Sequence, residues 1–125
     1  MNDDLFSVKG KNIILTGSSG LLGSAYARSL LSRDANMALI DIKPNQSQII
    51  KNEFKETDTI QVYKCDLSKP IQIKNTFKKI LKDFETVDVL INNAAFTSKQ
   101  AFHIKDFKNY ETHPLNLWVD SFKVN

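Results

Sequence analysis

The fold of this chain is decided by the stretch Asn12-Ile13-Ile14-Leu15-Thr16-Gly17-Ser18-Ser19-Gly20-Leu21-Leu22-Gly23. It begins as an apolar, strand-like run and continues, after the turn, with a helical pattern of apolar residues. Gly17 can make the sharp turn, Gly20 lets the backbone approach a phosphate, and Gly23 lets the helix pack closely on the strand. The free amides and the positive dipole end of a helix that starts there favour a pyrophosphate. The stretch therefore predicts a strand–turn–helix unit that binds a dinucleotide.

Strand-like and helix-like segments alternate along the rest of the chain. Strands are predicted at residues 12–16, 36–42, 59–64 and 87–91, and helices at residues 22–32, 46–55, 68–84 and 115–125. This order implies parallel strands that are joined by right-handed crossovers. The predicted fold class is α/β: a doubly wound, Rossmann-type parallel sheet that is incomplete, with about four strands and helices on both faces.

The third predicted helix and the fourth strand carry more detailed expectations. Ser68 is a suitable N-cap for this helix, with Pro70 in its first turn. The fourth strand would have an open edge, and the apolar faces of the flanking helices would lack covers. Apolar residues at helical spacing form the stripe that is expected to face the core: Ile73, Phe77, Ile80, Leu81 and Phe84.

The composition restricts the class of protein. With 125 residues, 42% of them hydrophobic and 25% charged, the chain is typical of one soluble globular domain. Its net charge of +3 comes from lysines dispersed over helix faces, so no nucleic-acid partner is predicted. No apolar run approaches the length of a membrane span, and the acidic N-terminus lacks the features of a signal peptide. The single cysteine, Cys65, excludes an internal disulfide, which favours a reducing compartment, so we expect a cytoplasmic protein. We expect neither a membrane partner nor a metal site.

Acidic residues follow the second and third predicted strands. Asp41 comes 18 positions after Gly23, where a carboxylate accepts hydrogen bonds from the adenosine ribose of a dinucleotide. A carboxylate there repels a 2′-phosphate, which favours NAD over NADP. Asp66 ends the third strand at the same edge of the sheet and is placed to touch the adenine. Either residue could instead be an ordinary polar strand end, and Asn92 with Asn93 could be a turn.

With Asn92 to Ala95 and the helix fragment Trp118 to Asn125, these motifs resemble the N-terminal, cofactor-binding half of a short-chain dehydrogenase/reductase. The resemblance implies that the glycine turn binds the pyrophosphate, that Asp41 holds the ribose and that the adenine lies at Asp66. It also implies a catalytic role for Asn125, which aligns with the helix asparagine that holds a water in the proton relay of such enzymes. The cofactor-binding residues that it implies are Gly17, Ser19, Gly20, Leu21, Leu22, Asp41, Asp66, Leu67, Asn93, Ala94 and Ala95.

The chain departs from the family pattern in its glycine spacing and in one interval. Gly20 falls at the fifth place of the turn and Leu21 at the sixth, a spacing that resembles the extended branch of nucleotide-sugar epimerases and dehydratases. The interval from Asn93 to Asn125 is longer than is usual in the compact branch, with the surplus in the irregular loop at residues 96–114. This loop is a candidate for substrate or subunit contacts.

The family's catalytic Ser and Tyr-x-x-x-Lys pair have no counterpart in this sequence. Tyr26 and Tyr63 belong to predicted core elements, and Tyr110 is followed four residues later by a proline. His103 and His113 lie in the irregular loop, where a solvated or structural histidine is expected. We therefore expect this chain to be the N-terminal part of a longer single domain and to be inactive by itself.

The resemblance implies an NAD(P)-dependent oxidoreductase that transfers a hydride between nicotinamide and a carbonyl or alcohol. Residues 1–125 would form its dinucleotide-binding part, with NAD favoured over NADP, a small-molecule substrate, and a homo-oligomer when complete. Two alternatives stay open. The glycine spacing favours an extended-branch nucleotide-sugar epimerase or dehydratase, and a non-catalytic dinucleotide-binding module would need no catalytic residues.

Overall fold

A computed structural model describes residues 3–96 and 115–125. Residues 97–114 lie outside this range, and with them most of the predicted loop, including Tyr110, His103 and His113. After a short 3-10 helix at Asp3–Phe6, strands and helices alternate as the sequence predicts. They are β1 (Asn12–Thr16), α1 (Leu21–Leu31), β2 (Asn36–Asp41), α2 (Asn45–Glu53), β3 (Ile60–Lys64), α3 (Pro70–Phe84), β4 (Val89–Ile91) and α4 (Leu115–Val124).

The four strands form one parallel sheet in the order β3-β2-β1-β4. From β1 the chain builds outward through β2 and β3, and it then crosses back to place β4 on the other side of β1. The predicted doubly wound topology is therefore confirmed, with its switch point between β1 and β4. Because the strands are parallel, their carboxyl ends meet at one edge, where Thr16, Asp41 and Ile91 lie. Ligands of such sheets bind at this edge, beside the switch point.

Each face of the sheet has its own apolar core, because successive strand residues point to opposite sides. One face packs against α1 and α2, and its buried residues are Ile13, Leu15, Ala27, Leu31, Ala35, Met37, Leu39, Ile50 and Ile60. The other face packs against α3, and its buried residues are Ile14, Ala38, Ile40, Tyr63, Cys65 and Ile80. The sheet is thus covered on both faces, as expected for parallel strands.

The predicted core stripe of α3 is only partly correct. Ile80 is buried and Phe84 packs against the core, but Ile73, Phe77 and Leu81 are 42%, 46% and 39% exposed. Their exposure accompanies that of β4, where Leu90 is 55% exposed. Among the described residues no strand pairs with the outer edge of β4, so this end of the α3 layer has little to pack against. Within residues 3–96 and 115–125, the outer edge of β4 is thus open and part of the apolar face of α3 is uncovered, as predicted.

One smaller expectation is wrong. Lys69, not Ser68, is the N-cap residue of α3, and no side chain caps this helix. The Ser68 hydroxyl instead donates to the Asp66 carboxylate at 2.7 Å. Tyr26 lies in α1, as predicted, and its side chain is exposed.

Glu85 joins α3 to β4 in an unfavourable backbone conformation. Its φ is 63° and its ψ is −44°, although it carries a Cβ. Across it the Thr86 N–H donates to the Phe84 carbonyl at 2.7 Å, which closes a three-residue γ-turn in its strained form. Such a conformation costs a non-glycine residue on the order of 1–3 kcal/mol.

Glu85→Gly should therefore raise the free energy of unfolding by about 1 kcal/mol. Glycine adopts a positive φ freely, and the strain it relieves exceeds the roughly 0.5–1 kcal/mol of backbone entropy that it adds to the unfolded chain. Urea unfolding followed by circular dichroism measures the change. Lys78→Gly is the matched control, because Lys78 is exposed inside α3, where glycine should cost about 1 kcal/mol. Equal destabilisation by both substitutions would contradict the prediction.

Candidate functional site

The turn between β1 and α1 has no room for side chains at two of its glycines. Gly17 has a φ of 65°, and a Cβ on it would lie 2.8 Å from the Ala94 Cα. A Cβ on Gly23 would overlap the Gly17 carbonyl oxygen. The first position requires glycine for its conformation and its packing, and the second lets the first turn of α1 rest directly on the backbone of the loop.

The N-terminus of α1 opens on the carboxyl edge of the sheet. Gly20 is its N-cap residue, no side chain caps it, and no acidic residue lies in its first turn. The first amides of a helix have no partner within the helix and carry the positive end of its dipole. Leu21 and Leu22, which begin the helix, are exposed. This helix end therefore combines unpaired donors with a first turn that carries no acidic residue, and it fits an anion such as a pyrophosphate.

Thr16 and Asn93 join the glycine turn to the end of β4. The Thr16 hydroxyl accepts from the backbone amides of Asn93 and Ala94, at 3.1 and 3.0 Å, and donates to the Ile91 carbonyl at 3.4 Å. In return the Asn93 side-chain amide donates to the carbonyls of Thr16 and Gly17, each at 3.1 Å. We call this group the Thr16–Asn93 clasp. Sequence reasoning missed Thr16, although a hydroxyl at the last position of the strand was a visible signal.

Asp41 is held beside the glycine turn by two backbone amides. The Ser19 N–H donates to Oδ2 at 3.0 Å, and the Lys43 N–H donates to Oδ1 at 2.9 Å. Each carboxylate oxygen is thereby oriented and keeps further lone pairs for another donor. The structure thus brings together the glycine turn and the first acidic residue that the sequence singled out.

A cluster of serines underlies this contact and was not expected. Ser47, in the first turn of α2, is fully buried, and its hydroxyl oxygen lies 2.8 Å from those of Ser18 and Ser19. Nothing in the sequence pattern marks Ser47, because a single serine near a helix start is common. The contact exists only once α2 has folded back against the turn.

Asp66 is organised locally rather than by the glycine turn. Its Oδ1 accepts from the Ser68 hydroxyl at 2.7 Å and from the Ser68 N–H at 2.9 Å, while its own N–H donates to the Gln72 side chain at 2.8 Å. These donors, the Ser68 hydroxyl foremost, lower the pKa of the Asp66 carboxyl. Asp66 and Leu67 share the carboxyl edge of the sheet with Asp41, but no hydrogen bond among the described residues joins them to the glycine turn.

Asn125 contacts the segment that follows Ala95. Its Oδ1 accepts from the Phe96 N–H at 2.7 Å and its Nδ2 donates to the Phe96 carbonyl at 3.2 Å. The side-chain amide thus pairs with the N–H and the carbonyl of one residue, as a neighbouring strand would. The predicted catalytic residue is in this way tied to the end of the Asn93–Ala95 segment, although the two are 29 or more positions apart.

Other titratable groups near the sheet do not form a second site. The Tyr63 hydroxyl donates to Asp83 at 2.6 Å, and burial, together with this hydrogen bond, raises the pKa of Tyr63. Tyr63 therefore stays protonated and is unsuited to acid–base work near neutral pH. The described residues contain no group of three or more His, Cys, Asp or Glu side chains that could hold a metal ion. Of the helices in the described ranges, none is long and apolar enough to span a membrane.

Comparison with known proteins places these features in a family. The model of the family described as short chain dehydrogenase matches residues 11–125. A sorbose reductase of Candida albicans is 35% identical over 92 residues, which are 73% of this chain and 33% of the relative. The 15-hydroxyprostaglandin dehydrogenase (NAD(+)) of Homo sapiens is 30% identical over 96 residues, which are 74% of this chain and 36% of the relative. The chain thus spans about a third of the length of these two curated relatives.

A solved structure shows the same fold. The 3-ketoacyl-(acyl-carrier-protein) reductase from Brucella melitensis, complexed with NADH, matches with a TM-score of 0.80 at 21% sequence identity. The match covers 94% of this chain and 45% of that chain. At this level of identity the likeness establishes a common Rossmann-type architecture.

The Thr16–Asn93 clasp can be tested through the amide of Ala94. Thr16→Val preserves the side-chain volume but removes the hydroxyl that accepts from this amide, and an amide left unpaired costs about 1–3 kcal/mol. We expect the hydrogen exchange of the Ala94 amide to accelerate in Thr16→Val and to stay slow in Thr16→Ser, which keeps the hydroxyl. Exchange measured by NMR at this residue decides the matter. Equal protection of the Ala94 amide in the two variants would show that the Thr16 hydroxyl does not protect this amide.

Ser68→Ala should raise the pKa of Asp66 toward the ordinary value of about 3.9, since the main hydrogen bond that stabilises the carboxylate is lost. A depressed pKa in the folded state contributes stability above the unfolded pKa, and this contribution disappears as the pH falls through the folded value. As the pH falls into the acid range, the free energy of unfolding of the variant should therefore decrease less than that of the wild type. An NMR titration of the Asp66 carboxyl measures the shift, with Ser68→Thr as the control that retains the hydroxyl. A pKa that is the same in all three proteins would refute the assignment.

Proposed function

The chain belongs to the short chain dehydrogenase family, and we propose that it provides the dinucleotide-binding part of an NAD-dependent oxidoreductase. Such an enzyme transfers a hydride between the nicotinamide ring and a carbonyl or alcohol of a small molecule. The observation that carries the proposal is the placement of Asp41, whose carboxylate lies against the Ser19 amide of the glycine turn at 3.0 Å. The turn and the carboxylate thus form one continuous site.

Asp41 supports NAD as the cofactor. Its two oriented oxygens are hydrogen-bond acceptors, and the 2′- and 3′-hydroxyls of an adenosine ribose are donors that match them. The 2′-phosphate of NADP carries negative charge and only acceptors, so it would be repelled at this position. The names of the human relative and of the Brucella structure, which mention NAD(+) and NADH, are consistent with this choice.

The remaining cofactor-binding assignments follow the same edge of the sheet. We assign the pyrophosphate to the uncapped start of α1, with Gly17, Ser19, Gly20, Leu21 and Leu22 around it. We assign the adenine to Asp66 and Leu67, because a carboxylate oxygen and a backbone N–H complement its amino group and the adjacent ring nitrogen. The segment after β4, Asn93 to Ala95, would flank the nicotinamide half, since the clasp holds it against Gly17.

Asn125 has two parts in this proposal. Its side chain keeps the backbone at Phe96 in place, and with it the end of the segment that would line the cofactor. The family resemblance adds the water of the proton relay. When bound, the nicotinamide dinucleotide supplies or accepts the hydride, and the residues described here bind and orient it.

The acid–base step needs residues outside this chain. No tyrosine in the sequence is followed four positions later by a lysine. The chain spans only 33% and 36% of the two curated relatives, so the proposal assigns the catalytic Ser and the Tyr-x-x-x-Lys pair to the remainder of a longer domain. Residues 1–125 by themselves should then give no turnover. A homo-oligomer in the cytoplasm is part of the same proposal.

The alternatives have narrower support. Gly20 at the fifth place of the turn remains the one feature that favours an extended-branch nucleotide-sugar epimerase or dehydratase. The two curated relatives are named as a reductase and a dehydrogenase, which does not favour that reading. The same names give no support to a non-catalytic binding module.

Asp41→Ala in the full-length enzyme should weaken NAD relative to NADP. Removal of a hydrogen bond to a charged group costs about 1.5–3 kcal/mol. The ratio of the NADP Kd to the NAD Kd should therefore fall at least tenfold. Kd values for NAD and NADP from fluorescence titration measure this ratio. Asp58→Ala is the control, because Asp58 is exposed in the turn before β3 and should leave the ratio as it is. If Asp41→Ala also leaves it as it is, the ribose role of Asp41 is wrong.

A further inference from the structure

Three serine hydroxyls meet where the glycine turn contacts α2. Ser18 and Ser47 are fully buried, and Ser19 is partly buried. The Ser47 Oγ lies 2.8 Å from the Ser18 Oγ and 2.8 Å from the Ser19 Oγ, and the Ser47 N–H donates to the Ser19 Oγ at 3.1 Å. A single residue of α2 therefore holds two consecutive residues of the turn.

Each serine hydroxyl has one proton, and one arrangement of the three protons satisfies every contact in this cluster at once. Ser18 donates its proton to the Ile40 carbonyl at 3.1 Å. Ser47 must then donate to Ser18, and Ser19 must donate to Ser47. The Ser19 oxygen also accepts from the Ser47 N–H. It has a lone pair left for a ligand, but its proton is already donated to Ser47 and cannot be donated to the ligand.

We propose that Ser47 is a positioning residue that sets the choice of cofactor by keeping Ser19 a hydrogen-bond acceptor. The inference rests on the proposed function, in which the adenosine ribose lies at Asp41. The Ser19 amide donates to the Asp41 carboxylate, so the side-chain oxygen of the same serine lies near this carboxylate. Two acceptors suit the hydroxyls of an unphosphorylated ribose. A Ser19 hydroxyl that donates its proton to Ser47 cannot donate to a 2′-phosphate.

The test compares the binding of NAD and NADP to the full-length protein and to Ser47→Ala by isothermal titration calorimetry. The substitution releases the Ser19 proton, which can then donate to a 2′-phosphate. The ratio of the NADP Kd to the NAD Kd should therefore fall about threefold to tenfold, as expected for one neutral hydrogen bond. The variant should fold, because Ser18 still donates to Ile40 and the N–H of residue 47 still reaches the Ser19 oxygen.

A double-mutant cycle separates this role from a merely structural one. If Ser47 acts through the Ser19 hydroxyl, Ser47→Ala should leave the NADP-to-NAD ratio unchanged in a Ser19→Ala background. A structural effect of Ser47 on the fold would persist in that background and add to the first substitution. Additivity would overturn the proposal.

Ser18→Ala is a second variant that removes the inner end of the chain of hydroxyls. Ser47 then has no oxygen at Ser18 to donate to and can donate to Ser19, which turns the Ser19 proton outward. The ratio should fall in the same direction, while the Ile40 carbonyl keeps the Ser18 N–H as its donor at 3.1 Å. A wild-type protein that binds NAD selectively, with both single variants unchanged, would overturn this inference alone. A wild type that binds neither nucleotide, or that prefers NADP, would overturn the proposed function and this inference with it.

Discussion

The close approach of backbone to backbone at Gly17 and Gly23 is the constraint on which the rest of the structure depends. The first turn of α1 can rest on the loop only because no Cβ stands between Gly23 and the Gly17 carbonyl. The same compactness at Gly17 brings Ala94 and Asn93 against the turn, so the clasp to β4 can form. Two missing side chains thus set the position of a helix, and with it the direction in which its unpaired amides face.

Asp41 and the serine cluster extend the glycine turn into a larger candidate site. The glycine turn supplies donors for an anion, and the neighbouring strand supplies a carboxylate that is fixed by two amides. Ser47 links these parts to α2, so the contribution of α2 is polar as well as apolar. In the proposed site, charge and hydrogen-bond direction act together, since a carboxylate and a serine oxygen whose proton is donated to Ser47 both accept from ribose hydroxyls and both disfavour a 2′-phosphate.

The two sides of the sheet are completed to different degrees. The face that packs on α1 and α2 encloses a continuous core, and the candidate cofactor site is built against it. On the other face, apolar residues of α3 and of β4 stay exposed in the described residues. The candidate cofactor site thus has its supporting layers in this chain, whereas the outer side of β4 is open among the described residues. This asymmetry agrees with a structural match that covers 94% of this chain but only 45% of the Brucella reductase chain.

The alternation of strands and helices, the glycine turn and the acidic strand ends could be predicted from the sequence, because each depends on local periodicity or on a residue's own conformational freedom. The family could be recognised from the same motifs. Other features had no local signal. Ser68 is not the N-cap of α3, because its hydroxyl donates to Asp66. The exposure of Phe77 follows from the edge position of β4. Only the tertiary structure decided that Thr16 meets Asn93, that Ser47 meets Ser19 and that Asn125 pairs with Phe96, since each contact joins groups from elements that are distant in sequence and are brought together by the order of the strands.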